Sequence, residues 1–189
     1  MIKTRIILLL FFFSFKLLYS QESFFKKGLE LFDDEQFILA QSYFEKINTD
    51  QALFYNAECS KILFLDDAEF LYEKLLFDYP ESVLNHNANI ALAEINFRKQ
   101  NYLKSSRYYS IELNYLNDSQ IFNLAYSYFA SDSLVKSKLF FKKLLNSSNS
   151  CAAAAQYYYA HIAYQNKDFI SSLEWFLKLE EKTKFSDII

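Results

Sequence analysis

The stretch FNLAYSYFASDSLVKSKLFFKKLL, residues 122–145, contains two apolar-patterned segments joined by the polar turn Asp132-Ser133. In each segment the apolar residues recur at intervals of three and four, which predicts an amphipathic helix. The second helix carries a three-residue signature, in which the small Ser137 is followed by the aromatic Phe141 and the aliphatic Leu144. A helix pair of this kind cannot bury its apolar faces alone and therefore needs neighbours.

The same signature recurs along the chain, with its small residues 28, 37, 32 and 35 positions apart. A period of about 33 residues predicts an array of helical repeats, each a pair of helices A and B. In four of the repeats a small residue on helix A (Gly28, Ala93, Ala125 or Ala160) precedes the small residue of helix B by twelve positions. The second repeat has a shorter helix A or turn, so its register is ambiguous by one residue. The five instances are Ala40-Phe44-Ile47, Ala68-Tyr72-Leu75, Ser105-Tyr109-Glu112, Ser137-Phe141-Leu144 and Ser172-Phe176-Leu179.

The composition agrees with an all-α architecture. The 189 residues include one Gly and one Pro, together with 21 Phe and 15 Tyr. Because Gly and Pro mark the turns of sheets and mixed folds, their scarcity favours helices joined by Asn, Asp and Ser turns. An AT-rich genome also enriches Phe, Tyr, Asn, Ile and Lys, but it does not produce a period.

Residues 1–20 have the layout of a secretory signal peptide. Lys3 and Arg5 precede an almost unbroken apolar run from Ile6 to Phe15, which predicts cleavage between Ser20 and Gln21. The alternative is an uncleaved anchor, although the run is shorter than the roughly 20 apolar residues that span a bilayer. No Cys lies near the site, which argues against a lipoprotein. We therefore expect an exported protein of the bacterial periplasm or cell envelope, without stable membrane insertion after cleavage.

The net charge limits the class of partner, and the positions of the two cysteines bear on whether they form a disulfide. Removal of residues 1–20 leaves 17 Lys and Arg against 23 Asp and Glu, a net charge of −6, and no basic run survives. This balance argues against nucleic acid as the partner. Cys59 and Cys151 lie three repeats apart, and helices stack ~8–10 Å apart. A disulfide needs Cα atoms within ~7 Å, so we expect two free thiols.

The repeats resemble tetratricopeptide repeats, whose pattern has a small residue at position 8, an aromatic at 17, Ala at 20 and an aromatic at 24. Gly28, Ala93, Ala125 and Ala160 match the first of these positions, and Phe37, Tyr102 and Phe169 match the second, where Leu134 departs from the pattern. Ser replaces Ala at position 20 in three repeats, and Glu112 occupies a usually aliphatic position. The resemblance implies an all-α, right-handed superhelical solenoid of antiparallel helix pairs, here an exported bacterial, Bacteroidota-like protein.

The predicted organisation is a signal peptide over 1–20, about five helix pairs over 21–182 and the start of a further, truncated repeat over 183–189. Residues 180–184 are interpreted as a polar linker, and Phe185 to Ile189 as the first turn of another helix A. Solenoids normally end in a polar capping helix. We therefore expect the chain to be the N-terminal portion of a longer repeat protein.

No pattern in the sequence indicates catalysis, a metal or a cofactor. His86 and His161 lie in different repeats, with no ligating partner three or four positions away. The pairs Asp33-Asp34 and Asp66-Asp67 fall at turns between helices A and B, where Asp caps helix N-termini. With one Gly, no phosphate-binding glycine loop is available. We expect a non-enzymatic protein.

The resemblance also implies a concave groove lined by helix A positions. Tyr and Arg dominate binding hot spots, so these side chains are candidates for holding a peptide or a partner helix. The competing interpretation is that the rings pack between helices, because Phe prefers the core and Tyr is intermediate. The candidate groove residues are Glu94, Phe97, Arg98, Phe122, Tyr126, Phe129, Tyr157, His161 and Tyr164.

The leading functional hypothesis is therefore a scaffold for protein–protein interaction that binds a peptide or protein segment in this groove. Three alternatives stay open. In the first, the chain is the extracytoplasmic sensor region of a membrane receptor. In the second, it provides accessory repeats of an envelope-assembly factor. In the third, it provides accessory repeats of an enzyme whose catalytic domain lies downstream.

Overall fold

Ten helices form the described part of the chain. The computed structural model describes residues 21–186, with side chains up to residue 181, and no strand occurs in this range. The predicted signal peptide over 1–20 lies outside it. The helices are α1 (21–33), α2 (Phe37–Phe44), α3 (Asp50–Ile62), α4 (Ala68–Asp78), α5 (Asn85–Arg98), α6 (Tyr102–Ile111), α7 (Asp118–Ala130), α8 (Leu134–Leu144), α9 (Ala152–Gln165) and α10 (Phe169–Ser186).

The chain divides into two compact units, one ending at Ala88 and the other beginning at Asn89. In the first unit α2 packs on α3 and α3 on α4; in the second, each helix from α6 to α10 packs on the next. Odd-numbered helices are the A helices and even-numbered ones the B helices. The predicted all-α repeat fold is confirmed.

The signature residues form the interior of the first four repeats, whereas Phe176 and Leu179 of the fifth are only half-buried. Ala40, Phe44, Tyr72, Tyr109 and Phe141 are at most 1% exposed. Their burial explains why a small residue and a large ring alternate on helix B, since close helix contact and gap filling are needed on the same face.

Small residues on helix A permit this close packing. A Cβ atom placed on Gly28 would lie 2.6 Å from Cε1 of Phe44, well inside van der Waals contact. Ala93, Ala125 and Ala160 are fully buried at the equivalent position. A larger side chain there would have to displace the ring of the neighbouring helix.

Serine at the small helix B position has a specific partner. The Ser105 hydroxyl donates to the Ala93 carbonyl oxygen at 2.9 Å, and the Ser137 hydroxyl donates to the Ala125 carbonyl oxygen at 2.9 Å. Each bond joins helix B to helix A across twelve residues. The replacement of Ala by Ser therefore adds a buried hydrogen bond between the two helices, where a bare carbonyl lone pair is available.

Glu112, which replaces the usual aliphatic residue of the third signature, is likewise paired. Its side chain is 7% exposed and its Oε1 accepts a hydrogen bond of 2.6 Å from Nδ2 of Asn89. A buried polar group of this kind costs little only when its hydrogen bonds are satisfied.

The turns between helices A and B share one backbone geometry. One residue in each has a left-handed φ between 56° and 61°: Glu35, Phe64, Gln100, Asp132 and Lys167. In the third repeat the Gln100 N–H donates to Phe97 O and the Asn101 N–H donates to Asn96 O, and the other four turns repeat this pair of bonds. The pattern is a Schellman motif, which normally places Gly at the left-handed position.

Helix capping by the paired aspartates is not observed. The N-cap residues Gln36, Asp67 and Ser133 make no side-chain capping bond. Only two B helices in the described residues have a side-chain bond at this place, from Lys104 N to Asn101 Oδ1 and from Ser171 N to Asp168 Oδ1. The interpretation of Asp33-Asp34 and Asp66-Asp67 as capping pairs is therefore wrong, because Schellman bonds close the preceding helix instead.

The register of the second repeat is now resolved. Its left-handed residue, Phe64, follows the buried Ala57 by seven positions, the spacing found in the other repeats. Ala68 then follows Phe64 by four positions instead of five, so the two small residues are eleven apart. One residue is missing from the first turn of helix B, and α4 accordingly begins at Ala68 itself.

The C-terminal segment differs from the predicted linker. Helix α10 continues without a break to Ser186, so residues 180–184 are helical. Glu and Lys are good helix formers and do not interrupt a helix. The expected start of a further repeat stays a prediction, and residues 187–189 lie outside the described part of the chain.

Both cysteines are free, as expected. Cys59 is buried and Cys151 is partly exposed. Burial raises the pKa of the Cys59 thiol from its ordinary value of 9.0 to about 12.

Candidate functional site

Six of the predicted groove residues join one network of rings in the second unit. Phe97 on α5 lies 5.8 Å from Tyr126 on α7, measured between ring centroids. Phe122 and Phe129 flank Tyr126 on the same helix at 6.5 and 6.3 Å. On α9, His161 lies 5.9 Å from Phe129 and stacks on Tyr157 at 6.1 Å. The spacing of three and four residues within α7 and α9 puts these rings on one face of each helix.

Tyr158, which was not among the predicted residues, is the centre of this network. Its ring centroid lies 5.1 Å from Phe129, 5.4 Å from Tyr126 and 6.2 Å from Phe122. It also stacks on Phe141 of the signature at 5.2 Å with an interplanar angle of 11°. Tyr158 therefore connects the buried interior of the fourth repeat to the rings on the helix A face.

Tyr102 on α6 completes the network, with its ring 5.5 Å from Tyr126. We refer to the eight residues Phe97, Tyr102, Phe122, Tyr126, Phe129, Tyr157, Tyr158 and His161 as the aromatic cluster. Apart from Tyr157, which is 49% exposed, they are half-buried. Rings in this intermediate position pack against neighbours and also leave an edge accessible to a ligand.

Three tyrosine hydroxyls meet within the aromatic cluster. Those of Tyr102 and Tyr158 each lie close enough to that of Tyr126 to interact with it electrostatically. Partial burial, followed by the neighbouring tyrosines, raises the pKa of Tyr102 and of Tyr158 above the ordinary value. The Tyr102 and Tyr158 hydroxyls therefore stay protonated, and each is a neutral hydrogen-bond donor and acceptor beside ring faces.

The remaining predicted residues lie outside the ring network. Tyr164 is 59% exposed and contacts Phe169 at 5.6 Å. Oε1 of Glu94 accepts a hydrogen bond of 3.0 Å from Nε2 of Gln120, which ties α5 to α7. Arg98 is exposed at the C-terminal end of α5.

The two cavities described in the structure lie elsewhere. One of about 550 Å³ is lined by Trp175, Lys178, Glu181 and residues of the α8–α9 connection, and one of about 350 Å³ lies in the first unit beside Phe44. Neither is lined by a residue of the aromatic cluster. The candidate site is therefore a surface of ring edges and hydroxyls, which suits an extended ligand better than an enclosed small molecule.

Histidine and carboxylate side chains of the described residues do not cluster as metal ligands. No group of three or more His, Cys, Asp or Glu side chains is arranged to hold a metal ion there. His161 contacts the rings of Phe129 and Tyr157. Within the same residues, no helix has the length and apolar character needed to cross a membrane.

The described helix pairs form an all-α repeat fold of the tetratricopeptide-like kind. The chain is similar to the solved structure of MamA (AMB-1), with a TM-score of 0.72 and 17% identity over 88% of this chain and 93% of that one. MamA (MSR-1) gives a TM-score of 0.66 at 16% identity, covering 88% and 98% of the two chains. The TPR-like repeats of a Podosopora anserina kinesin light chain give 0.55 at 12% identity, covering 89% and 96%.

These similarities establish the fold, because the identities are too low to carry over residues or partners. No protein-family model matches the sequence, and no curated protein matches it significantly.

Proposed function

We propose that the chain is a non-enzymatic interaction module of the bacterial periplasm or cell envelope, and that the aromatic cluster binds an extended segment of a partner protein. The proposal rests on one observation, the half-buried rings of α5, α6, α7 and α9 that surround three hydroxyl groups. Ring faces provide apolar contact at a low cost in side-chain entropy, while tyrosine hydroxyls bond to backbone carbonyl and amide groups.

An extended peptide fits the polarity of this surface. Its backbone groups are not paired internally and can therefore accept hydrogen bonds from tyrosine. The Glu94 carboxylate is hydrogen-bonded to Gln120, and the raised pKa values of Tyr102 and Tyr158 keep their hydroxyls uncharged at neutral pH. We therefore expect peptides recognised through their backbone and apolar side chains, with little dependence on salt.

Hydroxyl removal with retention of the rings tests the proposal. The mature chain, from residue 21, is used to select binders from a displayed library of random peptides. Tyr126→Phe should weaken the binding of the selected peptides about three- to tenfold, the value of one hydrogen bond, while leaving the ring packing intact. The matched control is Tyr115→Phe, because Tyr115 is 65% exposed in the same unit but outside the cluster.

Two results would contradict the proposal. The library yields no binders to the mature chain, or Tyr126→Phe and Tyr115→Phe have equal effects on every selected peptide. Equal unfolding midpoints of the two variants in urea show that a loss of binding is not a loss of folding.

Export is tested separately. A fusion of residues 1–40 to a reporter enzyme that is active only outside the cytoplasm should be active in a bacterial host. Mutation of the apolar run, for example Leu9→Arg, should abolish reporter activity, because a signal peptide needs an uninterrupted apolar segment.

A further inference from the structure

Charge is unevenly divided between the two compact units. Residues 21–88 carry 14 Asp and Glu against five Lys, a net charge of −9, whereas residues 89–189 carry 12 Lys and Arg against nine Asp and Glu, a net charge of +3. The change of sign coincides with the boundary between the units at Ala88 and Asn89. Two copies of the chain can therefore attract each other through unlike units within a Debye length, ~8 Å at physiological salt.

The positive charge of the second unit is concentrated on α8. This helix has four lysines and no acidic residue. Between the lysines, Val135 and Leu139 are 83% and 57% exposed. Residues four apart lie one above the other on a helix, so they form an apolar pair flanked by cations. The lysines of this helix are Lys136, Lys138, Lys142 and Lys143, of which Lys138 is ion-paired with Asp168 at 3.2 Å.

Helix α4 in the first unit presents a complementary face. Phe70 and Phe77 are 64% and 84% exposed and lie two turns apart on the same side of the helix. Six carboxylates and one lysine, Lys74, occur over residues 66–81. The carboxylates are Asp66, Asp67, Glu69, Glu73, Asp78 and Glu81.

We propose that α4 of one copy of this chain docks against α8 of a second copy. The apolar pairs Phe70–Phe77 and Val135–Leu139 meet, and the carboxylates around the first pair face the lysines around the second. A second copy is favoured over another partner because the α4 face and the α8 face are complementary in charge and both have exposed apolar side chains. Both faces belong to this chain. Large apolar side chains exposed together on one side of a helix are typical of a docking surface.

The interface is expected to be small and heterologous. Each face is a single helix of 11 residues, about 16 Å long, so the contact is smaller than the ~1,600 Å² of a stable complex. Since the two faces differ, each bound copy keeps one unused α4 or α8. Association should therefore continue into chains or close into a ring, and it should weaken as salt is added.

Sedimentation velocity of the mature chain tests the proposal with two blocking variants. Val135→Asp removes the α8 face and Phe77→Asp removes the α4 face, each by replacing a large apolar side chain with a charged group at the apolar centre of the contact. Each variant alone should associate at least about tenfold more weakly than the wild type. A mixture of the two should form a 1:1 complex and nothing larger, because one variant retains α4 and the other retains α8.

The matched control is Val83→Asp, because Val83 is 80% exposed but lies between α4 and α5 instead of on either face. It should associate like the wild type. All three positions are at least 80% exposed, so folding should be preserved, and circular dichroism verifies this.

Any of four results would overturn the proposal. The wild type remains monomeric up to about 1 mM, well above the range expected of a weak complex. Val135→Asp or Phe77→Asp associates like the wild type. The mixture of the two variants forms no complex. The wild type binds phosphatidylglycerol vesicles through α8 without associating with itself, which would assign the face to lipid.

Discussion

Replacement of Gln100 by Gly should stabilise the protein, although glycine normally weakens helical proteins. Gln100 has a φ of 59° at the Schellman turn between α5 and α6, and its side chain is exposed. A left-handed L-residue costs roughly 1–2 kcal/mol, which glycine avoids. Glycine loses more backbone entropy on folding, about 0.5–1 kcal/mol. The difference predicts that the free energy of unfolding rises by about 0.5–1 kcal/mol. For a chain of this length, each kcal/mol raises Tm by roughly 2–4 °C.

Urea unfolding followed by far-ultraviolet circular dichroism measures the change. The matched control is Lys142→Gly at an exposed position within α8, which should destabilise by about 1 kcal/mol because it has no left-handed strain to relieve. Equal destabilisation by the two substitutions would refute the reasoning. It would mean that the turn tolerates glutamine without strain.

Three further predictions concern the buried hydrogen bond and the two thiols. Ser137→Ala removes the hydrogen bond to the Ala125 carbonyl and should cost about 1 kcal/mol in urea unfolding, whereas a cost below that of an exposed Ser→Ala change would show that the bond is not stabilising. Burial raises the Cys59 pKa from 9.0 to about 12, so above pH 9 the unfolded chain loses a proton that the folded chain keeps, and stability should fall as pH rises. Cys59→Ala should reduce this slope, and an unchanged slope would contradict the assignment. A disulfide-exchange reagent should modify Cys151 before Cys59 in the folded protein, and the reverse order would refute the observed burial.

The repeat fold could be predicted from the sequence because its cause is periodic. Small residues such as Ala40 and large rings such as Phe44 recur wherever two helices must approach closely, and these positions are buried in the first four repeats. The positions of these residues in the sequence therefore predict which helix faces pack against each other.

The turns could be located but their geometry could not be predicted. Left-handed positions are normally recognised by Gly or Asn, and here they carry Glu35, Gln100 and Lys167. The missing residue of the second repeat was hidden for a related reason. Its position is defined by the φ of Phe64, which the residue type does not indicate.

The candidate site was predicted in part. The resemblance selected Tyr126 and Tyr157, which belong to the ring network, but also Tyr164, which does not. Tyr158 was missed because three consecutive tyrosines point in directions 100° apart, and only the packing of α9 shows that the middle one faces the network. The partners of Ser105 and Ser137 were likewise invisible, since the acceptor is a main-chain carbonyl present at every residue.

The shortened second repeat also affects which helix A packs on which helix B during folding. An array of equivalent helix pairs can assemble out of step, with helix A of one repeat packed on helix B of another, as in domain-swapped and misassembled repeat proteins. The small residues Ala57 and Ala68 are eleven apart, whereas the other pairs are twelve apart. A helix B placed in the wrong repeat would therefore be rotated by about 100° in one of its two contacts and would expose its ring. The missing residue thus makes the pairing of helices A and B in the second repeat distinguishable from the pairing in the other four.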